Sequence, residues 1–207
     1  DLIGLTDVAA KIPQFMTKVP HLITGLKQAY LRTPNTPAGL GLAFEKAVHR
    51  NPHGCALVFE DQQYSYLQLN AWANQIAHYY LSIGARKGDV IAVMLENRPE
   101  LIASVIGLAK IGVTVALVNT AQVAKVLAHS INLVKPIAVI VGEECRQAVA
   151  DIRQELELTE NRLYWFADQN TRTDAGTAPE GFQNLAQCIA SFPSFNPATT
   201  QSVQGKD

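Results

Sequence analysis

Three stretches of this chain are apolar at nearly every position: Val90–Leu95, Val113–Val118 (interrupted only by Thr114) and Ile137–Val141. Their starts lie roughly 23 residues apart, which is room for a strand, a crossover helix and two turns. A strand that is apolar on every residue cannot turn one face to water. It must be covered on both faces, which is the situation of a parallel sheet. The spacing predicts crossover helices over 99–111 and about 121–134. A further helix over about 146–156 leads to a fourth strand at Leu163-Tyr164-Trp165-Phe166. Crossovers of this type are right-handed. The expected fold is α/β, an open, mostly parallel, doubly wound sheet.

A β-hairpin is expected near the start. Ala56–Glu60 and Tyr64–Tyr66 read as strands around the polar Asp61-Gln62-Gln63. Before it, 39–51 reads as a helix stopped by Asn51-Pro52. After it, Ser65 and Gln68 stand three apart, the spacing of a reciprocal capping box. Leu69, Trp72, Ala73, Ile76, Ala77, Tyr80 and Leu81 then recur at helical spacing. Gly84 suits the left-handed terminus of that helix.

The 207 residues are enough to bury a core, and 48% hydrophobic with 17% charged residues is a globular composition. A net charge of −1 gives no basic face for nucleic acid. Cys55, Cys145 and Cys188 are scattered and odd in number, which fits reduced thiols in a cytoplasmic protein rather than a disulfide framework. The five histidines form no ligand set, since Asn51-Pro52 breaks the helix that would align His49 with His53. No apolar run reaches the ~18 residues of a membrane span, and no signal peptide is visible.

Three regions follow. Residues 1–38 form an N-terminal extension in which Ile12, Phe15, Met16, Val19, Leu22, Ile23 and Leu26 recur near helical spacing between Lys11, Lys18 and Lys27. That pattern suits an amphipathic segment, on a membrane surface or on its own protein, although Pro13 and Pro20 interrupt it. Residues 39–167 form the α/β subdomain. Residues 168–207 read as a polar loop and linker, with one short helix within 182–192.

In open α/β sheets ligands bind beyond the carboxyl ends of the strands, where helices begin. Asn97 follows the first run, with Glu100 three residues on. Asn119-Thr120 follows the second, with Gln122 three after Asn119. Both asparagines read as N-caps, and the amides they leave can face an anion. Arg146 opens the helix after the third run and is a candidate phosphate contact, because a guanidinium fork matches phosphate oxygens. Glu143-Glu144 read as a solvated turn. Gly107–Gly112 has P-loop glycine spacing, but Val113-Thr114 stand where Lys-Ser/Thr is required and the order of helix and strand is reversed. Gly39-Leu40-Gly41 lacks a third glycine. There is no nucleophile elbow and no Cys-x-x-Cys, so no catalytic residue is assigned.

A family resemblance is carried by many short matches in order. They include Ala43–Ala47, Ala56–Glu60, Tyr64-Ser65-Tyr66, Lys87–Ala92, Glu96-Asn97-Arg98-Pro99-Glu100, Gly107–Gly112, Asn119-Thr120 and Leu127-Ala128-His129-Ser130. Over about 40–145 the chain resembles the N-terminal region of the acyl-adenylate-forming superfamily. It leans toward long-chain and very-long-chain acyl-CoA synthetases, the branch related to fatty acid transport proteins.

That resemblance implies a ligase using ATP, CoA and Mg²⁺. A fatty carboxylate attacks the α-phosphate of ATP, and the CoA thiol then displaces AMP from the acyl adenylate. It also implies that the phosphate-binding loop lies just past the polar tail. The chain is then the front half of an enzyme, without its reaction centre, expected to be inactive and to hold no cofactor alone. Asn119, Thr120 and Arg146 are carried over as CoA contacts, although Val123-Ala124 replace the Arg-Gly that many relatives show. The implied partners are a long-chain fatty acid, the remainder of the polypeptide, a peripheral contact with the inner face of a membrane, and a homodimer. Two alternatives stay open: a stand-alone non-catalytic binding module, and a membrane-associated uptake protein that traps fatty acid by activating it.

Overall fold

The computed structural model describes residues 16–20, 22–26, 33, 35–158, 162–167 and 177–204. The expectations for 1–15 and for most of the loop after Phe166 lie outside them. Residues 1–36 group as a unit of their own, apart from the body that begins at Pro37. Within that unit, 16–20 and 22–26 are helical.

The body opens with helix α1 (Leu40–Arg50), a hairpin of β1 (Cys55–Phe59) and β2 (Gln62–Ser65), and helix α2 (Tyr66–Ser82). The hairpin is antiparallel, with Phe59 opposite Gln62. The second strand therefore starts two residues earlier than its apolar pattern suggested. The capping box forms as read: Gln68 N donates to Ser65 Oγ at 3.2 Å, and Ser65 N donates to Gln68 Oε1 at 2.8 Å. Gly84 closes α2 at φ +89°, a left-handed conformation that glycine adopts without steric cost.

Next come β3 (Val90–Met94), α3 (Pro99–Lys110), β4 (Thr114–Leu117), α4 (Ala124–Leu133) and β5 (Ala138–Gly142). A 3₁₀ turn at Glu143–Cys145 leads to α5 (Arg146–Asp151), β6 (Leu163–Phe166), β7 (Gln183–Asn184) and α6 (Leu185–Ile189). The five strands β3–β7 form one parallel sheet in the order β4-β3-β5-β6-β7. Strand residues alternate between two cores. Ile91, Val93, Leu95, Ile140 and Tyr164 pack with Leu69, Ile76, Tyr80, Ile106 and Leu108 of α2 and α3. Ala92, Met94, Val139, Val141 and Trp165 pack with Leu127 and Ile131 of α4 and Val149 of α5. Helices on both faces make the sheet doubly wound, which is why its central strands β3, β5 and β6 are apolar at nearly every position.

Three readings need correction. The helix expected over 146–156 is a single α-helical stretch ending at Asp151, followed by a 3₁₀ turn at Arg153–Glu155. The stretch 182–192 supplies an edge strand, β7, as well as a helix. The residues after it do not trail away: Asn196 bonds into the body, Thr200 is buried, and Pro37 bridges to Gln204. Polar side chains and backbone made these contacts, so no apolar pattern announced them.

Candidate functional site at the carboxyl end of the sheet

The strand order reverses between β3 and β5. β3 is followed by α3 and β4 on one side and is paired with β5 on the other. In such sheets this switch point opens a crevice beyond the strand ends. Three loops meet there: Glu96-Asn97-Arg98 after β3, Asn119-Thr120 after β4, and the turn Glu143–Cys145 after β5.

Between β3 and β4 lies an open groove lined by Leu95, Asn97, Leu117, Val118, Asn119 and Thr120. Asn119, Thr120 and Asn97 thus line one groove. Neither asparagine caps its helix as the sequence suggested. The N-cap of α3 is Arg98, with no side-chain cap, and Pro99 occupies the first turn where its missing N–H costs nothing. Asn119 Oδ1 accepts from Ala121 N at 2.9 Å, which closes a local turn. Helix α4 starts only at Ala124, whose φ of +50° lies in the left-handed region. The short Asn119 side chain satisfied the nearest amide and so delayed the helix.

On the other side of Glu96, a cavity of about 240 Å³ is lined by Phe59, Gln62, Tyr64, Arg98, Glu100 and Glu144, among others. Its chemistry is dominated by Arg98, which is only 8% exposed. The guanidinium donates to Phe166 O at 3.1 Å and Ala167 O at 3.2 Å. It also lies 3.6 Å from Glu100 and 3.7 Å from Glu144. Glu144 in turn accepts from Glu96 N at 2.7 Å. Glu143 is bound to Trp165 Nε1 at 2.6 Å and to Arg146 Nε at 3.2 Å. Glu143-Glu144 forms a turn that keeps solvent exposure, as read, and its carboxylates also brace the ends of three parallel strands. Burial first, and then the carboxylates of Glu144 and Glu96, hold the thiol of Cys145 up at about 11.

Arg146 does not join Asn119 and Thr120. It follows β5, while they follow β4 on the far side of β3, and its Nε is engaged by Glu143. No pattern in the sequence marked Arg98, Trp165 or Glu144 as a network, because each contact closes over long separations. Among the described residues no group of histidine, cysteine and carboxylate side chains could hold a metal ion. Among them, too, no helix is long and apolar enough to cross a membrane.

With this geometry in place, comparison with known proteins is informative. The model of the AMP-binding enzyme family matches residues 44–201. Over 205 residues, 99% of the chain, it is 30% identical to the medium/long-chain-fatty-acid–CoA ligase FadD6 of Mycobacterium tuberculosis, and covers 32% of that protein. Over 115 residues it is 36% identical to long-chain fatty acid transport protein 1 of Rattus norvegicus, covering 55% of this chain and 18% of that one. The chain thus spans about a third or less of the length of these curated relatives.

Among solved structures, the anthranilate CoA ligase AuaEII in complex with anthranoyl-AMP superposes with a TM-score of 0.72 at 18% identity, over 82% of this chain and 31% of that one. The N-terminal domain of FACL13 from Mycobacterium tuberculosis gives 0.63 at 22% identity, over 78% and 38%. Both likenesses support the fold. The chain belongs to the AMP-binding enzyme family.

Proposed function

We propose that the whole protein is an ATP-dependent fatty acid–CoA ligase, of which this chain is the N-terminal part. A long-chain fatty carboxylate is joined to CoA through an acyl adenylate, with release of AMP and pyrophosphate. The observation that carries the reading is the match of 99% of this chain to about a third of a fatty-acid–CoA ligase, laid on a sheet whose switch point opens at the strand carboxyl ends. The transport-protein relatives favour a second use of the same reaction, uptake driven by trapping the acid as its thioester.

The residues in hand do not suit a nucleoside triphosphate, and among the described residues no cluster of side chains could hold its Mg²⁺. Glu96, Glu100, Glu143 and Glu144 crowd the switch point, and Arg98 is spent on backbone carbonyls and two of those carboxylates. A polyphosphate there meets like charge. ATP and Mg²⁺ are therefore assigned to parts of the protein beyond this chain, and the chain alone is inactive.

The β3–β4 groove suits a CoA contact better. Asn119 and Thr120 offer an amide and a hydroxyl to the nucleotide end of CoA. Arg146 serves the same ligand only by leaving Glu143, so its contribution is the weaker. The accompanying placement is cytoplasmic and peripheral to a membrane that supplies the acid.

The test is an assay of the complete polypeptide with ATP, CoA, Mg²⁺ and fatty acids, alongside Arg146→Ala and Thr120→Ala. Thioester formation with a raised KM for CoA in Thr120→Ala supports the reading. A KM unchanged in both variants removes the CoA assignment, and failure to form any thioester removes the ligase.

A further inference from the structure

Helix α4 has two unlike apolar sides. Leu127, Ala128 and Ile131 are buried against the sheet and α5. On the outer side Val126 is 62% exposed and Leu133 69%, with Val123 exposed just before the helix. Val126 and Leu133 stand seven residues apart, about two helical turns, so they project on the same side with the small Ser130 between them. No charged residue interrupts that stripe. Leaving it wet costs roughly 25 cal/mol for each Å².

Charge borders the stripe along one flank and changes sign from end to end. Lys125 is exposed at the start of α4, and no Asp or Glu occurs between Glu100 and Glu143 to meet it locally. Asn132, also two turns on, shares its flank at the far end of the helix. There Asn132 Nδ2 donates to Glu155 O at 2.7 Å, and Glu157 N donates to Asn132 Oδ1 at 3.0 Å. The Glu155 and Glu157 residues so held are exposed. Among the described residues Lys125, Glu155 and Glu157 have no ion-pair partner.

We infer that the outer side of α4 packs on α4 of a second copy of this chain, antiparallel about a two-fold axis that passes between His129 and Ser130. Val126 then meets Leu133 of the second copy and Leu133 meets its Val126, because a two-fold contact repeats every pair. Ser130, next to the axis, lets the helices approach closely. The rotation keeps the charged flank on the same side and exchanges its ends. Lys125 therefore faces Glu155 and Glu157 of the second copy, twice in each dimer. A parallel pairing sets Lys125 against Lys125, and an anionic surface meets Glu155 and Glu157 as like charge. Ten residues of helix are about 15 Å long, so the contact is smaller than the ~1,200 Å² of a standard interface. The association is accordingly weak and reversible. It goes beyond the ligase reading and stands or falls without it.

The test is sedimentation velocity of the complete polypeptide over a concentration range of about 1–200 μM, set for a weak contact. Wild type passes from monomer to dimer with concentration. Val126→Glu with Leu133→Glu raises the dissociation constant by about tenfold or more. Lys125→Glu raises it by about threefold, and so does Glu155→Lys with Glu157→Lys. Combining Lys125→Glu with Glu155→Lys and Glu157→Lys brings it back to the wild-type value, since the pairs across the axis are rebuilt with their signs exchanged. Thermal melting is unchanged in every variant, because all of these side chains are exposed. A polypeptide that stays monomeric throughout overturns the inference, as does a dimer indifferent to the V126E/L133E pair. A melting temperature lowered by that pair assigns the stripe to the protein's own remaining sequence and also overturns it. Charge reversals that weaken the dimer singly but give no recovery when combined overturn the antiparallel arrangement.

Discussion

Lys110 and Asn196 stand 86 residues apart in the chain, yet the Lys110 ammonium donates to Asn196 Oδ1 at 3.0 Å. It also donates to Asn70 Oδ1 at 2.7 Å and Asn74 Oδ1 at 2.6 Å, and pairs with Glu45 at 3.1 Å. The lysine is 0% exposed. One buried charge thus joins α1, α2, α3 and the segment after α6. Neighbouring bonds reinforce it, because Asn74 Nδ2 also donates to Ser194 O at 2.7 Å.

Removing that charge leaves a buried carboxylate and three amides without their common partner. Lys110→Met is expected to destabilise the body by about 3–5 kcal/mol. Asn196→Ala, which removes one acceptor, costs about 1–3 kcal/mol. Urea denaturation measures both, and limited proteolysis of Asn196→Ala should release the segment after α6 first. A Lys110→Met protein as stable as wild type contradicts the joining role.

The pH dependence of this lysine has a defined sign. Burial lowers its pKa below 10.5, with Glu45 opposing the shift. Between its lowered folded value and 10.5 the unfolded chain binds the extra proton, so stability from this group rises with pH in that window. Comparing wild type with Lys110→Met across mildly alkaline pH isolates the slope. A difference that falls with pH has the wrong sign.

Cys145 works in the opposite direction. Its thiol is raised to about 11 from 9.0, by burial first and by Glu144 and Glu96 next. The unfolded chain therefore loses this proton first, and the stability it confers is full below pH 9 and is lost as pH rises through about 11. Cys145→Ala should show a shallower loss over that range. At neutral pH the thiol stays protonated, so a thiol reagent should modify exposed Cys55 well before Cys145.

Ala124 holds a φ of +50° at the first residue of α4, behind an N-cap, Val123, that offers no side-chain acceptor. Left-handed backbone costs an L-residue roughly 1–2 kcal/mol. Ala124→Gly is expected to stabilise the protein by about 1 kcal/mol. Val123→Ser adds a cap worth about 0.5–2 kcal/mol. Thermal melting of the two variants decides, and a lower melting temperature in Ala124→Gly counts against the local geometry.

Arg98 joins the carboxyl end of β6 to the start of α3 through two backbone carbonyls. Lysine cannot reproduce that fork. Arg98→Lys is expected to lose about 1–3 kcal/mol of stability in urea titration, from an unsatisfied buried carbonyl. Equal stability of the two proteins contradicts the bracing role.

How much of this the sequence disclosed follows from the range of each interaction. The parallel strands were legible because burial on both faces leaves an unbroken apolar run. The capping box was legible because Ser65 and Gln68 act across three residues. β7 was not, since Gln183-Asn184 pairs on an edge through backbone alone and carries no pattern. The start of α4 was misplaced because Asn119 looks the same whether it caps a helix or closes a turn. Lys110, Arg98 and Asn196 were silent because polar contacts across dozens of residues impose no periodicity. At the candidate site, spacing brought Asn119 and Thr120 to one groove, but only the strand order reveals that β3 stands between them and Arg146.

The most direct test of the ligase reading follows an atom. The complete polypeptide is supplied with ATP, CoA and a fatty acid in which both carboxylate oxygens are the heavy isotope, and the released AMP is weighed by mass spectrometry. Attack of the carboxylate on the α-phosphate predicts one heavy oxygen in AMP for each thioester formed. Unlabelled AMP, or ADP in its place, contradicts the account.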